Sequence, residues 1–583
     1  MNSMPQPSEL VIGLVGAVGA ELDLVSTDIE IALSDYGYDA QEIRLSRLLS
    51  DLAWDEELPA EPLDTHIWTH MEAGNRLRLC WQRSDALALL ALTEISAIRE
   101  ERNQNRYRDG SVESLDRFAF ILRSLKHPGE VELLRSIYGS RFVLVAAYAP
   151  EEIRKKALTE KLVKEYRSED PGDWFMPVEK LMARDEAETE DAPKGFLSAS
   201  GRQAGENAPD SPPPDSDLGL VNDDRESSGE VEGDVSTPKT AEDEAAFTDS
   251  DIPRKIWGQN LRDTFHRADL FVDAREGVGL KEAVGRIVEI LFAHPFRTPN
   301  KDEYGLFAAE GAARQSAELG RQVGAAIATP EGDVIALGSN EVPKAGGGVY
   351  WENGDAHTDC GLDGTGDGRE FRNQIDTNDR MKRAIALEII DQLEGEKFLK
   401  DAGEAEAPEL LTALERTRLG DLIEFGRAVH AEMAALMDAA RRGASVRGCT
   451  LYTTTFPCHN CARHIVAAGI MRVVYVSPYS KSQAKELHGD AIDFAAADPR
   501  EGAVQFEPFV GVAPRRYLDL FEAASRKHDD GKVVRHVPSE ASLNIPDVEL
   551  EDLQPEIPGY RQREALALDL LNEVFDTTGL RIR

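Results

Sequence analysis

The chain has 583 residues, 41% of them hydrophobic, and a formal net charge of −40. That length exceeds one domain and sets an expectation of roughly three or four folding units, with enough apolar material for real cores. So large a negative charge repels phosphate, which excludes broad nonspecific binding to DNA, RNA or anionic membrane but leaves room for a local basic groove.

Much of the acid is assigned to a solvated linker and exposed helices. No apolar run approaches the roughly 18 residues of a bilayer span. The first residues, Met1 to Leu10, lack the basic stretch and apolar core of a secretory signal. The expectation is a cytoplasmic protein with no membrane partner. Five cysteines, Cys80, Cys360, Cys449, Cys458 and Cys461, make an odd, thinly spread set. A disulfide scaffold does not fit, and the close pair Cys458/Cys461 reads as metal-binding or catalytic. Cys80 and Cys449 read as small core residues.

In chain order, residues 8–60 predict strand, glycine-rich turn, helix, strand and helix, with Leu10–Val15 as an apolar strand leading into Gly16-Ala-Val-Gly19. Arg123-Ser-Leu-Lys126-His-Pro128 is a basic patch before a helix, read as a solvated helix entry. A buried-type strand from Arg141 precedes a helix with an acidic first turn from Pro150. Strands alternating with helices imply a parallel sheet covered on its faces.

From about 186 to 251 the sequence turns Glu/Asp/Ser/Pro/Gly-rich and cannot bury enough apolar surface to offset its ordering entropy, which predicts disorder. Ala268–Ala274 then reads as a strand and Leu280–Phe292 as an amphipathic helix, closing the first sheet around an acidic insertion. The domain assignment is therefore 1–297 with its insertion, 298–525, and an acidic tail 526–583 holding one helix at 560–575.

In the second domain a helix is predicted over Asp302–Gly320, then a hairpin with strands Gln322–Ala328 and Val334–Gly338. A Gly/Asp-rich loop, 344–376, precedes helical patterns at 378–398 and 408–425. Helix 430–442, strand 450–454, helix 458–468 and strand 472–476 follow.

The chemistry sits in His430-Ala-Glu432 and Pro457-Cys458-His-Asn-Cys461. One imidazole and two thiolates suit zinc, and three protein ligands leave a fourth tetrahedral position for water. Cys458 and Cys461 are three apart, so one helical turn presents both sulfurs to one point, at a helix start that favours thiolate. Zinc lowers the pKa of its water. Glu432 takes the water's proton to ring nitrogen 3 of a cytosine, hydroxide attacks carbon 4, and ammonia leaves. The competing reading is a closed structural site completed by His459 or His464.

The glycine-rich turn lacks the phosphate chemistry of G-x-x-x-x-G-K-[ST]: Glu21 replaces the second glycine, Leu22 the lysine and Asp23 the hydroxyl residue. Gly16 and Gly19 either belong to a degenerate nucleotide sensor or let strand and helix pack, and phosphoryl transfer is not expected. His357 and Cys360 have a spacing that would suit two ligands, without a complete set beside them. Tyr479 and Lys481 follow a strand end, where sites in α/β sheets lie; Lys481 is either a surface lysine or a contact to a nucleotide phosphate.

These motifs resemble the cytidine/deoxycytidylate deaminase superfamily over roughly 298–490. Arg321-Gln-Val-Gly-Ala-Ala-Ile327 and Thr453-Thr-Thr-Phe-Pro-Cys-His-Asn-Cys461 are similar to its deoxycytidylate branch. By that resemblance Asn340, in Gly338-Ser-Asn340, is a sugar ligand. The whole chain resembles bacterial two-domain anti-phage deoxycytidylate deaminases, which join a P-loop kinase-like parallel-sheet domain to an α/β/α deaminase.

The resemblance implies zinc, deamination of dCMP and dCTP, and dCTP depletion during infection. It also implies control through a nucleotide effector at the N-terminal domain or a small RNA, and a homo-oligomer. Two alternatives stand beside it: deamination of bases in nucleic acid, and a nucleotide- or RNA-binding regulator on a deaminase scaffold. The acidity and the absence of an aromatic-interleaved basic stripe oppose the first, and the intact Glu432 opposes the second.

Overall fold

The computed structural model describes residues 9–54, 57–103, 114–167, 175–186, 258–275, 277, 279–352, 368–396, 407–477, 482–494, 499–522, 525–544 and 559–582. The calls on the acidic insertion, on His357 and Cys360, and on Tyr479 and Lys481 lie outside these residues. Among the described residues no helix is long and apolar enough to cross a membrane.

The strands in chain order are β1 (Glu9–Gly16), β2 (Asp39–Arg44), β3 (Phe118–Arg123), β4 (Phe142–Tyr148), β5 (Leu270–Asp273), β6 (Gly324–Ala328), β7 (Val334–Ser339), β8 (Thr450–Thr455), β9 (Arg472–Ser477), β10 (Ile492–Phe494), β11 (Val504–Pro508) and β12 (Gly511–Val512). They form two six-stranded sheets, ordered β12-β5-β4-β1-β3-β2 and β10-β11-β9-β8-β6-β7. The first is parallel except for β12. In the second, β10, β11, β9 and β8 run parallel and the β6–β7 hairpin is antiparallel.

β1 is buried along its whole length because it is central and covered on both faces, so it reads as a continuous apolar run. Alternation then divides its residues between two layers. Leu10, Ile12 and Leu14 join Ile121, Val143 and Val272 under helices Leu22–Ser34 and Leu280–Leu291. Val11 and Val15 join Phe120, Leu144 and Phe271 under helices Leu63–Trp81, Ala86–Asn103 and Pro128–Tyr138. β5 pairs with β4, so strands on either side of the acidic stretch are neighbours in one sheet.

The larger cluster continues into the second sheet through Leu306, Ala309, Ala326, Tyr452 and Val474. Helix Lys301–Ala313 carries it, and the buried Glu303 carboxylate fastens that helix to its surroundings. Glu303 accepts from Arg286 at 2.7 and 2.8 Å and from the β12 N–H of Val512 at 2.9 Å. The two sheets share this core within one compact unit, and β12 joins the first sheet from beyond residue 297.

Several elements differ from the expected ones. The helix predicted to Gly320 stops at Ala313: Ser316 Oγ donates to Asn340 O at 2.7 Å and Ala317 N–H to Glu341 at 2.7 Å, and these contacts hold the segment outside the helix. The helix at 407 ends at Glu415. Strands β3 and β10–β12 and the helices at 63 and 86 were not read from the sequence. Cys449 is buried, but Cys80 is exposed on a helix and is no core residue.

The tail helix, Tyr560–Thr578, docks on the first sheet's helical layer around a buried charge cluster. Arg99 reaches Glu9 at 2.8 and 2.9 Å and Glu564 at 3.0 Å, while Tyr138 and Tyr560 donate to Glu564 and Glu9. Arg99→Met would leave two carboxylates facing each other in the core. We expect it to lower the free energy of unfolding by about 3–5 kcal/mol in urea titrations of the full chain.

Candidate metal centre

His430 is the residue before helix Ala431–Arg442, in extended conformation, which turns its imidazole back across the helix start. Glu432 lies in the first turn of that helix and is buried. The helix packs on β7 with almost no gap. A Cβ at Gly338 would stand 2.2 Å from Ala431 O and 2.3 Å from Ala435 N, so only glycine lets the backbones approach this closely.

β8 ends at Thr455, and Phe456-Pro457 leads into helix His459–Ala468, with Cys458 as its N-cap. Cys458 Sγ accepts from Cys461 N–H at 3.4 Å. The site thus lies beyond the carboxyl end of a parallel strand, as in other α/β sheets.

His430 Nδ1 is 3.2 Å from Cys458 Sγ and 3.4 Å from Cys461 Sγ, and the three donor atoms lie within 4.8 Å of one another. Tetrahedral zinc ligands at about 2.0–2.3 Å stand about 3.5 Å apart, so the set fits the ion. The electrostatics agree. The hydrogen bond from Cys461, with that to His430 helping against burial, lowers Cys458 to about 4. The same contact, with burial, drives Cys461 upward. The hydrogen bond to Cys458 raises His430 to about 9. Two sulfurs this close share one negative charge, and a divalent cation is what allows both to ionise.

Among the described residues His459 and His464 are not in the donor group, and His464 Nδ1 is 2.6 Å from Asn460 O. A closed four-ligand site therefore finds no fourth protein donor there. Burial first, then the Cys458 charge, holds the Glu432 carboxyl above its usual range.

The donors border a cavity of about 460 Å³, lined by His430, Glu432 and Cys458 on one side and by Asn340, Phe456, Arg262 and Arg321 among others. That is ample for a nucleotide. Asn340 lines it, and its amide also braces backbone: Oδ1 accepts from Val323 N–H at 2.6 Å and Nδ2 donates to Arg321 O at 2.7 Å. One lone pair and one N–H remain for a ligand. Sequence reasoning missed Arg262, which lies far from the motif and reaches the cavity only through the fold.

The glycine-rich loop holds a surprise in its contents. Asp185, buried at the end of helix Phe175–Glu186, takes Val18 N–H at 2.6 Å and Lys126 Nζ at 2.7 Å. Lys126 also donates to Gly16 O at 2.9 Å. The chain's own carboxylate thus occupies a place where a loop of this kind would hold phosphate. Gly19 has φ +88°, and a Cβ there would meet Arg154 backbone oxygen at 2.9 Å, so a side chain would not fit. The basic patch is likewise used internally: Arg123 pairs with Asp23, Lys126 with Asp185, and His127 caps the following helix.

Among the described residues, fold and donor set place a three-donor His/Cys/Cys group that suits zinc in a cleft at a strand end. Residues 299–477 match the family model described as the cytidine and deoxycytidylate deaminase zinc-binding region. The chain is 44% identical over 55 residues to the deoxycytidylate deaminase of Enterobacteria phage T2, covering 9% of this chain and 29% of that one. It is 31% identical over 102 residues to a probable deoxycytidylate deaminase of Drosophila melanogaster, covering 16% and 49%. The chain thus spans half or less of the length of these curated relatives. A solved dCMP deaminase of cyanophage S-TIM5 aligns over 36% of this chain and 100% of its own at 17% identity, with a TM-score of 0.19, too loose to bear on function.

Two substitutions test this geometry. Gly338→Ala should push the helix bearing His430 off β7 and weaken zinc binding roughly 10–100-fold, as loss of outer support does elsewhere, measured by competition with a chromogenic chelator. Asp185→Ala leaves Lys126 and Val18 N–H without their buried acceptor and should cost about 1–3 kcal/mol in stability, measured by thermal or urea unfolding.

Proposed function

We propose that the chain hydrolyses the exocyclic amine of a deoxycytidine nucleotide, converting dCMP to dUMP and releasing ammonia. The observation that carries this reading is the buried Glu432 carboxyl beside a three-donor His/Cys/Cys group, with His430, Glu432 and Cys458 lining a nucleotide-sized cavity. His430, Cys458 and Cys461 would hold the metal. Zinc held there acts as a Lewis acid and makes water a nucleophile near neutral pH.

Glu432 does the proton work. Its carboxylate accepts a proton from the attacking water and passes it to ring nitrogen 3, which makes carbon 4 electrophilic. The C–O bond forms at carbon 4; Glu432 then takes the proton of the new C4 hydroxyl and hands it to the amine, the C–N bond breaks, and the C4 carbonyl remains. One water is consumed and one ammonia released. Burial of Glu432 keeps bulk water from competing for that proton. Asn340 would orient the sugar with the hydrogen-bonding capacity its backbone contacts leave over.

The same reading extends to dCTP as a second substrate, and to depletion of deoxycytidine nucleotides in anti-phage defence. The first-sheet half would act as the control element, in a homo-oligomer. Its support is physical: the two sheets share one core, so a ligand acting on the first half can be felt in the second.

Purified, zinc-loaded protein would be incubated with dCMP, dCTP, cytidine and a cytosine-containing oligonucleotide, following ammonia and product mass. Deamination of the free deoxynucleotides is expected, with loss on chelation, recovery on adding zinc, and a roughly 10²–10⁴-fold lower rate in Glu432→Gln. Activity confined to the oligonucleotide, or turnover that survives Glu432→Gln, would overturn the proposal.

A further inference from the structure

We propose that residues 525–544 form a strap across the end of helix Leu280–Leu291, which the histidine pair His294/His536 holds closed at neutral pH and releases in mild acid. The strap is fastened near both of its ends. Arg526 Nε donates to Pro295 O at 2.7 Å, and Asn544 donates its N–H to Leu291 O at 2.5 Å and its Nδ2 to Leu520 O at 3.1 Å. Beside the second fastening Ala541 and Leu543 pack on the core layer that this helix covers. Between the two, His536 meets His294, with the ring centroids 4.3 Å apart. Tyr36 OH stands 3.0 Å from His536 Nε2, and the Tyr36 ring stacks on Phe292 at 4.2 Å.

The hydrogen bonds set the protonation state that this packing needs. His294 Nδ1 accepts from Phe296 N–H at 3.2 Å, so that nitrogen carries no proton. Burial, then the Glu289 charge, pushes the Tyr36 hydroxyl up to about 12, so it keeps its proton and donates it to His536 Nε2. Both imidazoles are therefore neutral in the closed strap. A proton added to His294 destroys the acceptor of Phe296 N–H, and one added to His536 turns an acceptor into a donor against the hydroxyl's own proton. Two imidazolium rings in contact also repel each other. Histidine changes charge between about pH 5 and about pH 8, so these losses fall in mild acid.

The charged groups around the pair come from several elements. Asp35 adjoins Tyr36 after helix Leu22–Ser34, and Arg117 donates to Tyr36 O at 2.7 Å. Glu289 lies on helix Leu280–Leu291, Arg297 follows His294, and Arg526 and Arg535 are on the strap itself. Glu289 favours a proton on His536, but its carboxylate is paired with Arg297. Burial, then the His294 charge, outweighs that pull and holds His536 below the ordinary histidine value of 6.5. The closed strap thus binds fewer protons than the released one. Its stability is complete above 6.5 and is lost as pH falls below that value.

Hydrogen exchange of the full zinc-loaded chain, read by mass spectrometry from about pH 7.5 to about pH 5.5 and corrected for intrinsic rates, tests the strap across the histidine range. Opening at 525–544 and 291–297 should rise as pH falls, by up to about tenfold per pH unit with one linked proton and up to about 100-fold with two. Exchange in β1 should stay level, which separates local release from acid unfolding. In the double variant His294→Asn/His536→Gln each side chain keeps an acceptor and neither can be protonated, so opening should lose its pH dependence. Each single variant should show a reduced slope. A wild-type strap whose opening ignores pH, or an acceleration shared equally by β1, overturns the inference. So does a full wild-type slope in both single variants or in the double one.

Discussion

The second sheet is held between helices at two points where no side chain fits. A Cβ at Gly324 would stand 1.9 Å from Ala309 O of helix Lys301–Ala313, and one at Gly338 would stand 2.2 Å from Ala431 O of helix Ala431–Arg442. Backbone against backbone is a close contact that cannot slide without a clash. On one face it seats the helix whose start carries His430 and Glu432. On the other it seats the helix that continues the core into the first sheet. Metal centre and sheet-to-sheet core are therefore fixed by the same hairpin.

Given that clamp, the metal centre follows from local rules. β8 runs parallel to β9, so its carboxyl end delivers Cys458 and the start of a helix to one edge of the sheet. One helical turn brings Cys461 to the same point, and the clamped helix brings His430 across from it. The Cys458 contact and burial together disfavour two thiolates side by side, pushing Cys461 upward, and a divalent cation offsets that cost.

The acidity of the chain hides a more structured charge arrangement. Arg99 neutralises Glu9 and Glu564 inside the first half, and Asp185 neutralises Lys126 at the glycine-rich loop. Internal pairing of this kind consumes the cations that a phosphate site at the loop would need. Arg262 and Arg321 line the zinc cavity, where Arg321 is paired with Asp263.

What the sequence by itself determined was whatever depends on spacing of a few residues. His430 with Glu432, and Cys458 with Cys461, are each held together within a single helix turn, which holds in any tertiary context, while the packing on β7 brings the two pairs to one point. The parallel character of the first sheet, the strand at 270 after the acidic stretch and the tail helix were legible for the same reason, as periodic apolar patterns. The tertiary structure alone decided the contacts between distant segments. Asp185 in the glycine-rich loop, Glu564 on Arg99, the two-residue strand β12 beside β5, and Arg262 at the zinc cavity join residues tens to hundreds of positions apart. No local periodicity encodes such a pairing, because its energy comes from burying one charge against another only after the sheets have packed.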